Sequence, residues 1–262
     1  GLVQLVGAPF AILVDAASFL VSAISLVLIR APEPPRPART ASTPIVREIV
    51  EALTLVRRHP VLLPLTLRSV VAHVAGSFYG VLYTIFLLEE LHLQPFVIGV
   101  VISAGGVGAL VGSLFAARTI GRLGIGPALI WAAAGASLIG VLTPLAGGPV
   151  ALATLMVLLP QLVGDGLQTI EGVAELSLIQ GVIPNEILGR VNATLEVLSH
   201  GIAYPLGALL AALLADNIGV RGAIAIGWAG MAVSILILVL SPLPRIRDAS
   251  DARAIPTVAG MD

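Results

Sequence analysis

Seven stretches of this chain, each about 20 residues or longer, run almost free of charge, which is the length an α-helix needs to cross a bilayer. They cover residues 8–29, 61–88, 96–117, 127–146, 150–178, 187–214 and 223–243. Turn-forming runs separate them: Pro32-Glu33-Pro34-Pro35, residues 121–126, Gly147-Gly148-Pro149, Pro184-Asn185 and residues 217–219. Open strands would leave backbone groups unpaired in lipid, so stretches of this kind fold as helices. The expected fold class is an all-α polytopic membrane protein with seven transmembrane helices. Composition points the same way, since 57% of residues are hydrophobic and only 11% charged, against about a quarter charged in a soluble domain.

Several function classes drop out at this level. A net charge of −1 gives no electrostatic footprint for nucleic acid. With no Cys there are no disulfides, thiolate metal sites or Cys nucleophiles. The four His form no HExxH, position 162 is Leu so that Gly164-Asp165-Gly166 is not a GxGD signature, and no GxSxG occurs. No enzyme, cofactor or metal is expected from these patterns.

All fourteen basic residues are Arg, and their order along the chain predicts orientation. Arg30, Arg36, Arg39, Arg47, Arg57 and Arg58 lie in the first connection, Arg118 and Arg122 in the third, Arg190 in the fifth, and Arg245, Arg247 and Arg253 in the tail. The second, fourth and sixth connections hold only Arg221. Twelve against one, alternating with the helices, predicts that the odd connections and the C-terminal tail are cytoplasmic and that the chain sits as a multi-pass protein in the plasma (inner) membrane.

The expected domain plan is a helix at 1–30, a cytoplasmic linker at 31–59, a six-helix bundle at 60–243 and a tail at 244–262. Residues 31–43 carry four Pro and read as extended. Thr43 is an N-cap residue and Pro44 suits the first helical position, so an amphipathic helix is expected over 44–58. Ile45, Ile49, Ala52, Leu53 and Val56 form its apolar stripe, opposite Arg47, Glu48, Glu51 and Arg58. It is either an interfacial helix on the inner leaflet or a lead-in to the next span. An internal echo at an offset of 212 residues pairs Leu2, Gly7, Ala11 and Ile12 with Leu214, Gly219, Ala223 and Ile224. The first and seventh helices would then be equivalent members of two six-helix halves, with five helices preceding Gly1 in a longer protein.

Ionisable groups inside a bilayer are costly and default to functional candidates. The fourth and seventh spans contain none, the second has Arg68 and His73, the fifth has Asp165, Glu171 and Glu175, and the sixth has Glu196 and His200. The third span is uncharged too; the fourth and seventh are expected to face lipid while the others line a polar cavity. Counted from the cytoplasmic turns at about 1.5 Å per residue, Glu171, His73 and His200 all fall roughly 19 Å deep, Glu175 and Glu196 roughly 13 Å, and Arg68 about 12 Å. Glu171/Glu175 and Glu196/His200 are i, i+4 pairs that share a face. Burial disfavours a charged carboxylate and a second carboxylate disfavours it further, so Glu171 and Glu175 either exchange protons or, satisfied by neighbours, hold the bundle together. Asp165 between two Gly is either a substrate contact or a kink. Arg68 either snorkels to inner headgroups or binds substrate, and snorkelling is the expectation. Gly108 and Gly112 read as close-packing positions, while Trp131 and Trp228, and less clearly Tyr79, read as interfacial anchors.

Four strings resemble the major facilitator superfamily, in its drug-exporter branch of macrolide-efflux and enterobactin-exporter-like proteins. They are Asp15-Ala16-Ala17-Ser18-Phe19-Leu20-Val21-Ser22-Ala23; Ile98-Gly99 with Gly105-Gly106-Val107-Gly108-Ala109; Ile183-Pro184-Asn185-Glu186-Ile187-Leu188-Gly189-Arg190-Val191; and Pro205-Leu206-Gly207. The resemblance implies that the seven spans are helices six to twelve of a 6+6 transporter, with helices seven, eight, ten and eleven lining the cavity and nine and twelve facing lipid. It also implies a cytoplasmic gate motif between the eighth and ninth helices. Gly112, Arg118 and Arg122 match that motif, but Ala116 and Ala117 stand where its Asp belongs.

The expected function is that of a transporter fragment carrying out proton-coupled efflux of small amphipathic or hydrophobic compounds. Its partners would be the small-molecule substrate, protons, the lipid bilayer and the missing N-terminal half. Transport of a lysophospholipid or siderophore, or service as a permease subunit, is the alternative.

Overall fold

The computed structural model describes residues 8–29 and 45–254 of the 262, in two units that divide between Pro44 and Ile45. The expected linker at 31–43, the Thr43 cap and Pro44 lie outside the described residues, as do Arg30, Arg36 and Arg39. The first unit is one helix, α1 (Ala8–Val27), with Leu13, Phe19, Leu20 and Leu26 all exposed. A helix apolar on every side belongs in lipid or within a larger bundle.

The second unit opens with α2 (Ile45–Arg58) and α3 (Leu62–Ile85), the latter prolonged by a π-helical turn over Phe86–Glu90. Next come α4 (Pro95–Leu123), α5 (Ile125–Gly140) and the short α6 (Leu142–Leu145). A π turn at Pro160–Gly164 joins α7 (Val150–Leu159) to α8 (Asp165–Val182). A π segment at Val197–Ala203 joins α9 (Asn185–Glu196) to α10 (Tyr204–Val239). The last helix is α11 (Ala249–Ala254), and no strand occurs among the described residues.

Among the described residues, five continuous stretches are long and apolar enough to cross a membrane: Leu62–Glu90, Pro95–Leu123, Ile125–Leu145, Val150–Val182 and Asn185–Val239. Seven were expected, and the difference has two sources. In the first unit the apolar helix is shorter, Ile12–Val27. The sixth and seventh expected spans, meanwhile, merge into a single stretch of 55 residues. Straight, that stretch would run about 80 Å, far beyond a hydrocarbon core of about 30 Å. It is not straight, because Gly219 takes φ 80° and ψ 161°. Gly207, before the bend, sits against Val74 and Ser77, and Gly227, after it, sits against Ala75 and Phe78. Both limbs therefore flank one level of α3, and the chain doubles back at a residue whose positive φ only Gly adopts freely.

Boundaries move elsewhere for similar reasons. α4 continues through Arg118 and Arg122, both of which favour helix near a C-terminus. The turn expected over 121–126 shrinks to Gly124, at φ 92°. Residues past 243 do not leave the bundle at once: Leu243, Ile246 and Ala252 are buried with Val61, Leu129 and Leu178. The Ile125 and Gly126 N–H groups donate to the Arg247 and Ile246 carbonyls, each at 3.0 Å. At the α2–α3 corner, His59 Nδ1 accepts the Val61 N–H at 3.2 Å, and burial holds His59 below its ordinary pKa.

Small residues set the packing. A side chain at Gly108 would overlap the Leu162 carbonyl, and one at Gly112 the Gly166 carbonyl, so α4 lies backbone to backbone on the π turn and α8. Such contact replaces hydrophobic drive in lipid. On α5, Leu129, Ala132, Ala133 and Ala136 are buried while Trp131 and Leu138 are exposed. Trp228, expected as an interfacial anchor, instead covers Gly140 and meets Tyr79 edge-on, with centroids 5.6 Å apart. At the end of the bundle where α3 finishes, Arg221 binds Glu90 (Nε to Oε2, 2.9 Å) and donates to the carbonyls of Pro144 (2.8 Å) and Ala146 (2.6 Å). Its guanidinium lies 4.9 Å from the Phe86 ring centroid. One side chain thus ties three connections, which explains a lone Arg in that position.

Replacing Gly108 by Leu should separate α4 from α8 and lower the thermal midpoint in detergent, by a penalty at or above the ~1–3 kcal/mol usual for overpacking. Gly106→Ala on the same helix, where a Cβ meets nothing within 4 Å, should leave the midpoint unchanged or raise it.

Candidate functional site

Arg68 lies nearly two helical turns into α3, on its buried face between Leu65 and Ala72, and packing of α3 against its neighbours takes it out of water. A guanidinium has five donors and is always charged, so burial requires acceptors. α8 supplies them: Arg68 Nη2 contacts Glu171 Oε1 directly, and Nη1 stands 3.8 Å from Glu175 Oε2. The snorkelling expected for Arg68 is overturned by this geometry. Two carboxylates one turn apart on the facing helix offer a nearer counter-charge than any headgroup. The supply is incomplete, because among the described residues Arg68 Nε has no hydrogen-bond partner. One guanidinium also faces two carboxylates, which leaves a formal charge of −1.

A second polar contact joins α3 to the last long stretch. His73 Nε2 lies 3.2 Å from His200 Nε2, with ring planes at 76°. His73 Nδ1 is 2.7 Å from the Ser69 carbonyl, and His200 Nδ1 is 3.0 Å from Glu196. Ser69 Oγ also meets Ser199 Oγ at 3.2 Å. His200 and Ser199 sit in the π segment, whose extra residue per turn re-aims side chains and recurs at functional sites. Together these groups border an open cleft of about 400 Å³, walled by Thr66, Ser69 and His73 of α3, Glu175 of α8, and Glu196 and His200. Six of the sequence-derived candidates therefore come together: Arg68, His73, Glu171, Glu175, Glu196 and His200.

Asp165 does not join them. Its carboxylate rests against Gly105 of α4, beside Gln161, whose Oε1 accepts the Tyr79 hydroxyl at 3.0 Å. Tyr79 and Tyr83 stack with centroids 4.2 Å apart. This is a second, separate polar cluster, and Tyr79 is part of it rather than an interfacial anchor. The expected helix break at Gly164-Asp165-Gly166 is absent too, since Gly164 and Asp165 keep helical backbone angles. Irregularity falls one step earlier, in the π turn, and Gly166 serves to admit α4. Where the resemblance implies helix eight as a cavity wall, α4 instead meets this second cluster and gives no side chain to the cleft.

Of the turn-motif residues, Gly112 is a packing position and Arg118 and Arg122 are exposed along the last turns of α4. Gly189 and Arg190 lie exposed on α9, with Arg190 Nη1 4.0 Å from Glu48 of α2. α2 itself docks through Ala52 and Val56 against Leu62, Ile183 and Val191. Ile49 and Leu53, placed by the sequence on the same stripe, are exposed at 41% and 39%.

Sequence comparison places these helices. The profile of the Major Facilitator Superfamily matches residues 1–201. The chain belongs to that superfamily. No curated protein matches it, and no solved structure does. Members are integral membrane proteins that act as secondary transporters of small-molecule substrates rather than as enzymes. In a superfamily protein, a buried charge cluster beside an open cleft is the natural place to look for transport chemistry.

Ser69, Ser199, Gln161 and Tyr79 were missed as site residues in the sequence. Uncharged polar side chains in helices often bond their own backbone, as Ser77 does to the Val74 carbonyl at 2.7 Å. Only a side-chain hydrogen bond to a distant helix distinguishes Ser69 from Ser77.

Arg68→Leu should strand the buried Glu171 carboxylate beside the half-buried Glu175 and destabilise the protein by about 3–5 kcal/mol, read as a fall in thermal midpoint. Arg68→Leu combined with Glu171→Leu should recover a large share of that loss, because the neutral pair leaves less charge unmatched.

Proposed function

We propose that this chain is the C-terminal seven-twelfths of a proton-coupled exporter of small amphipathic or hydrophobic compounds. It would supply family helices six to twelve, with five more helices completing the N-terminal bundle. The observation that carries the reading is Arg68, buried between Glu171 and Glu175 next to the cleft. One carboxylate answers the guanidinium and the other is left with a negative charge in a site of low polarity. A proton or a cationic group on a substrate can neutralise it, but not both together. Competition for one charge is what exchange transport needs, since uptake of the proton releases the cargo.

Other residues support the direction and setting of transport. The drug-exporter strings, among them Asp15-Ala16-Ala17-Ser18 and Pro184-Asn185-Glu186, favour efflux and an amphipathic cargo. Arginine order favours the plasma (inner) membrane with the Arg190 turn and the tail in the cytoplasm. α2, with Arg47, Arg57 and Arg58 on a short amphipathic helix, would lie along the inner leaflet. Two six-helix halves would rock about the midplane, the Arg68 cluster being exposed to each side in turn.

Two outcomes test this. In the protein with both bundles, Glu171→Gln and Glu175→Gln should each flatten the pH dependence of dye efflux from everted vesicles and cut proton-driven efflux by about an order of magnitude. A profile identical to the parent would remove the carboxylates from the proton path. The chain reconstituted alone in liposomes should give no gradient-driven flux, and a substrate-dependent flux would refute the two-bundle arrangement.

A further inference from the structure

The histidine pair poses a problem in proton counting that the transport reading leaves unused. The Ser69 carbonyl only accepts, so His73 must carry its proton on Nδ1. His200 Nδ1 lies 3.0 Å from a Glu196 oxygen, and a neutral His200 that turns its N–H toward this acceptor leaves Nε2 bare. Two neutral rings then present bare Nε2 lone pairs to each other across 3.2 Å. Such an arrangement is repulsive until an electrophile enters, and two are available: a proton or a metal cation.

We propose that His73 and His200 bind a divalent transition-metal cation of the imidazole-preferring class, zinc foremost, through their Nε2 atoms. Three observations favour the metal over the proton. The ring centroids are only 4.3 Å apart with planes at 76°, whereas a straight N–H···N bond would add a ring radius on each side of the 3.2 Å gap. A cation about 2.05 Å from both nitrogens would instead subtend an angle of about 100°, close to tetrahedral. Next, the far side of each ring is held as metal-bound imidazoles are held, one by a carboxylate and one by a backbone carbonyl. Finally, one arginine, Arg68, stands against three carboxylates, Glu171, Glu175 and Glu196, so the surroundings carry two negative charges in excess. The cleft is open rather than enclosed, and the His200 side chain is 57% exposed, so the facing ring nitrogens are not walled off by protein.

Among the described residues no three metal-ligating side chains converge on one point. The protein thus supplies two ligands and leaves the other positions to water or to an oxygen or nitrogen donor on a cleft-bound solute. Glu196 is a positioning residue here, fixing the tautomer and orientation of His200.

The test uses the full chain, free of any polyhistidine tag, purified in detergent and stripped with a chelator. Cobalt(II) should bind with one-to-one stoichiometry and give visible bands of nitrogen-ligated cobalt that zinc displaces and EDTA abolishes. His73→Gln and His200→Gln should each weaken zinc binding by an order of magnitude or more, and Glu196→Gln by about ten-fold. His92→Gln, on the loop after the α3 π turn, should change nothing. No saturable cobalt or zinc binding up to millimolar metal, or binding equal in parent and both histidine variants, would overturn the proposal and leave a shared proton as the occupant. Should the variants fail to fold, the parent protein still decides. Zinc should protect His73 and His200 from acylation by diethyl pyrocarbonate, mapped by mass spectrometry, and equal labelling with and without zinc would count against the site. The readout is binding rather than flux, so its failure leaves the proton-coupling proposal untouched, and the reverse holds as well.

Discussion

A guanidinium removed from water must be answered by a carboxylate at contact distance, and Arg68 meets that demand only where α3 and α8 pack side by side. Losing hydration costs several kcal/mol per ion, so the pair forms only with close geometry. Thr66, Arg68 and Glu171 are all buried, and among the described residues Thr66 Oγ1 and Arg68 Nε have no hydrogen-bond partner. The bundle tolerates these shortfalls because neighbouring contacts hold the two helices at fixed spacing. α3 is gripped on one side by both limbs of the bent stretch after α9, and α8 is pressed against α4 by glycine contacts.

Those glycine contacts and the π segments act together. Gly108, Gly112 and Gly166 bring α4 and α8 to backbone contact, which fixes where Asp165 and Gln161 point. An extra residue in each π turn rotates the rest of its helix about the axis, and it does so beside each polar cluster: Pro160–Gly164 precedes Asp165, and Val197–Ala203 contains Ser199 and His200. Without the second of these, His200 would not meet a partner 127 residues away on α3. Pro160 and Pro205 stand in or next to these irregular turns, where a missing N–H is accommodated by wider hydrogen bonding.

Much of the site's composition was readable in the sequence, and little of its connectivity. Helical depth placed His73, His200 and Glu171 at one level, and the contact between His73 and His200 agrees with that count. The i, i+4 rule joined Glu196 to His200, whose Nδ1 lies 3.0 Å from the Glu196 carboxylate. Depth alone misled for Arg68, because distance from a turn says nothing about which neighbour occupies the same face. Asp165 was grouped with Glu171 since both lie on one helix. In fact they face different neighbours, α4 for Asp165 and α3 for Glu171. Trp228 looked like an anchor because it sits near a helix end, yet it fills the space that Gly140 leaves open.

The sequence by itself determined that the chain is helical and built for lipid, and roughly where its helices run. A bilayer imposes that condition on each segment separately: enough apolar length, with every backbone group satisfied within the helix. Which ionisable side chains meet was decided only by tertiary structure. Pairing across more than a hundred residues depends on the rotation of each helix about its axis, and that rotation is set by glycine contacts, the positive-φ bend at Gly219 and the π turns at Pro160–Gly164 and Val197–Ala203. None of these leaves a periodic trace in the order of residues.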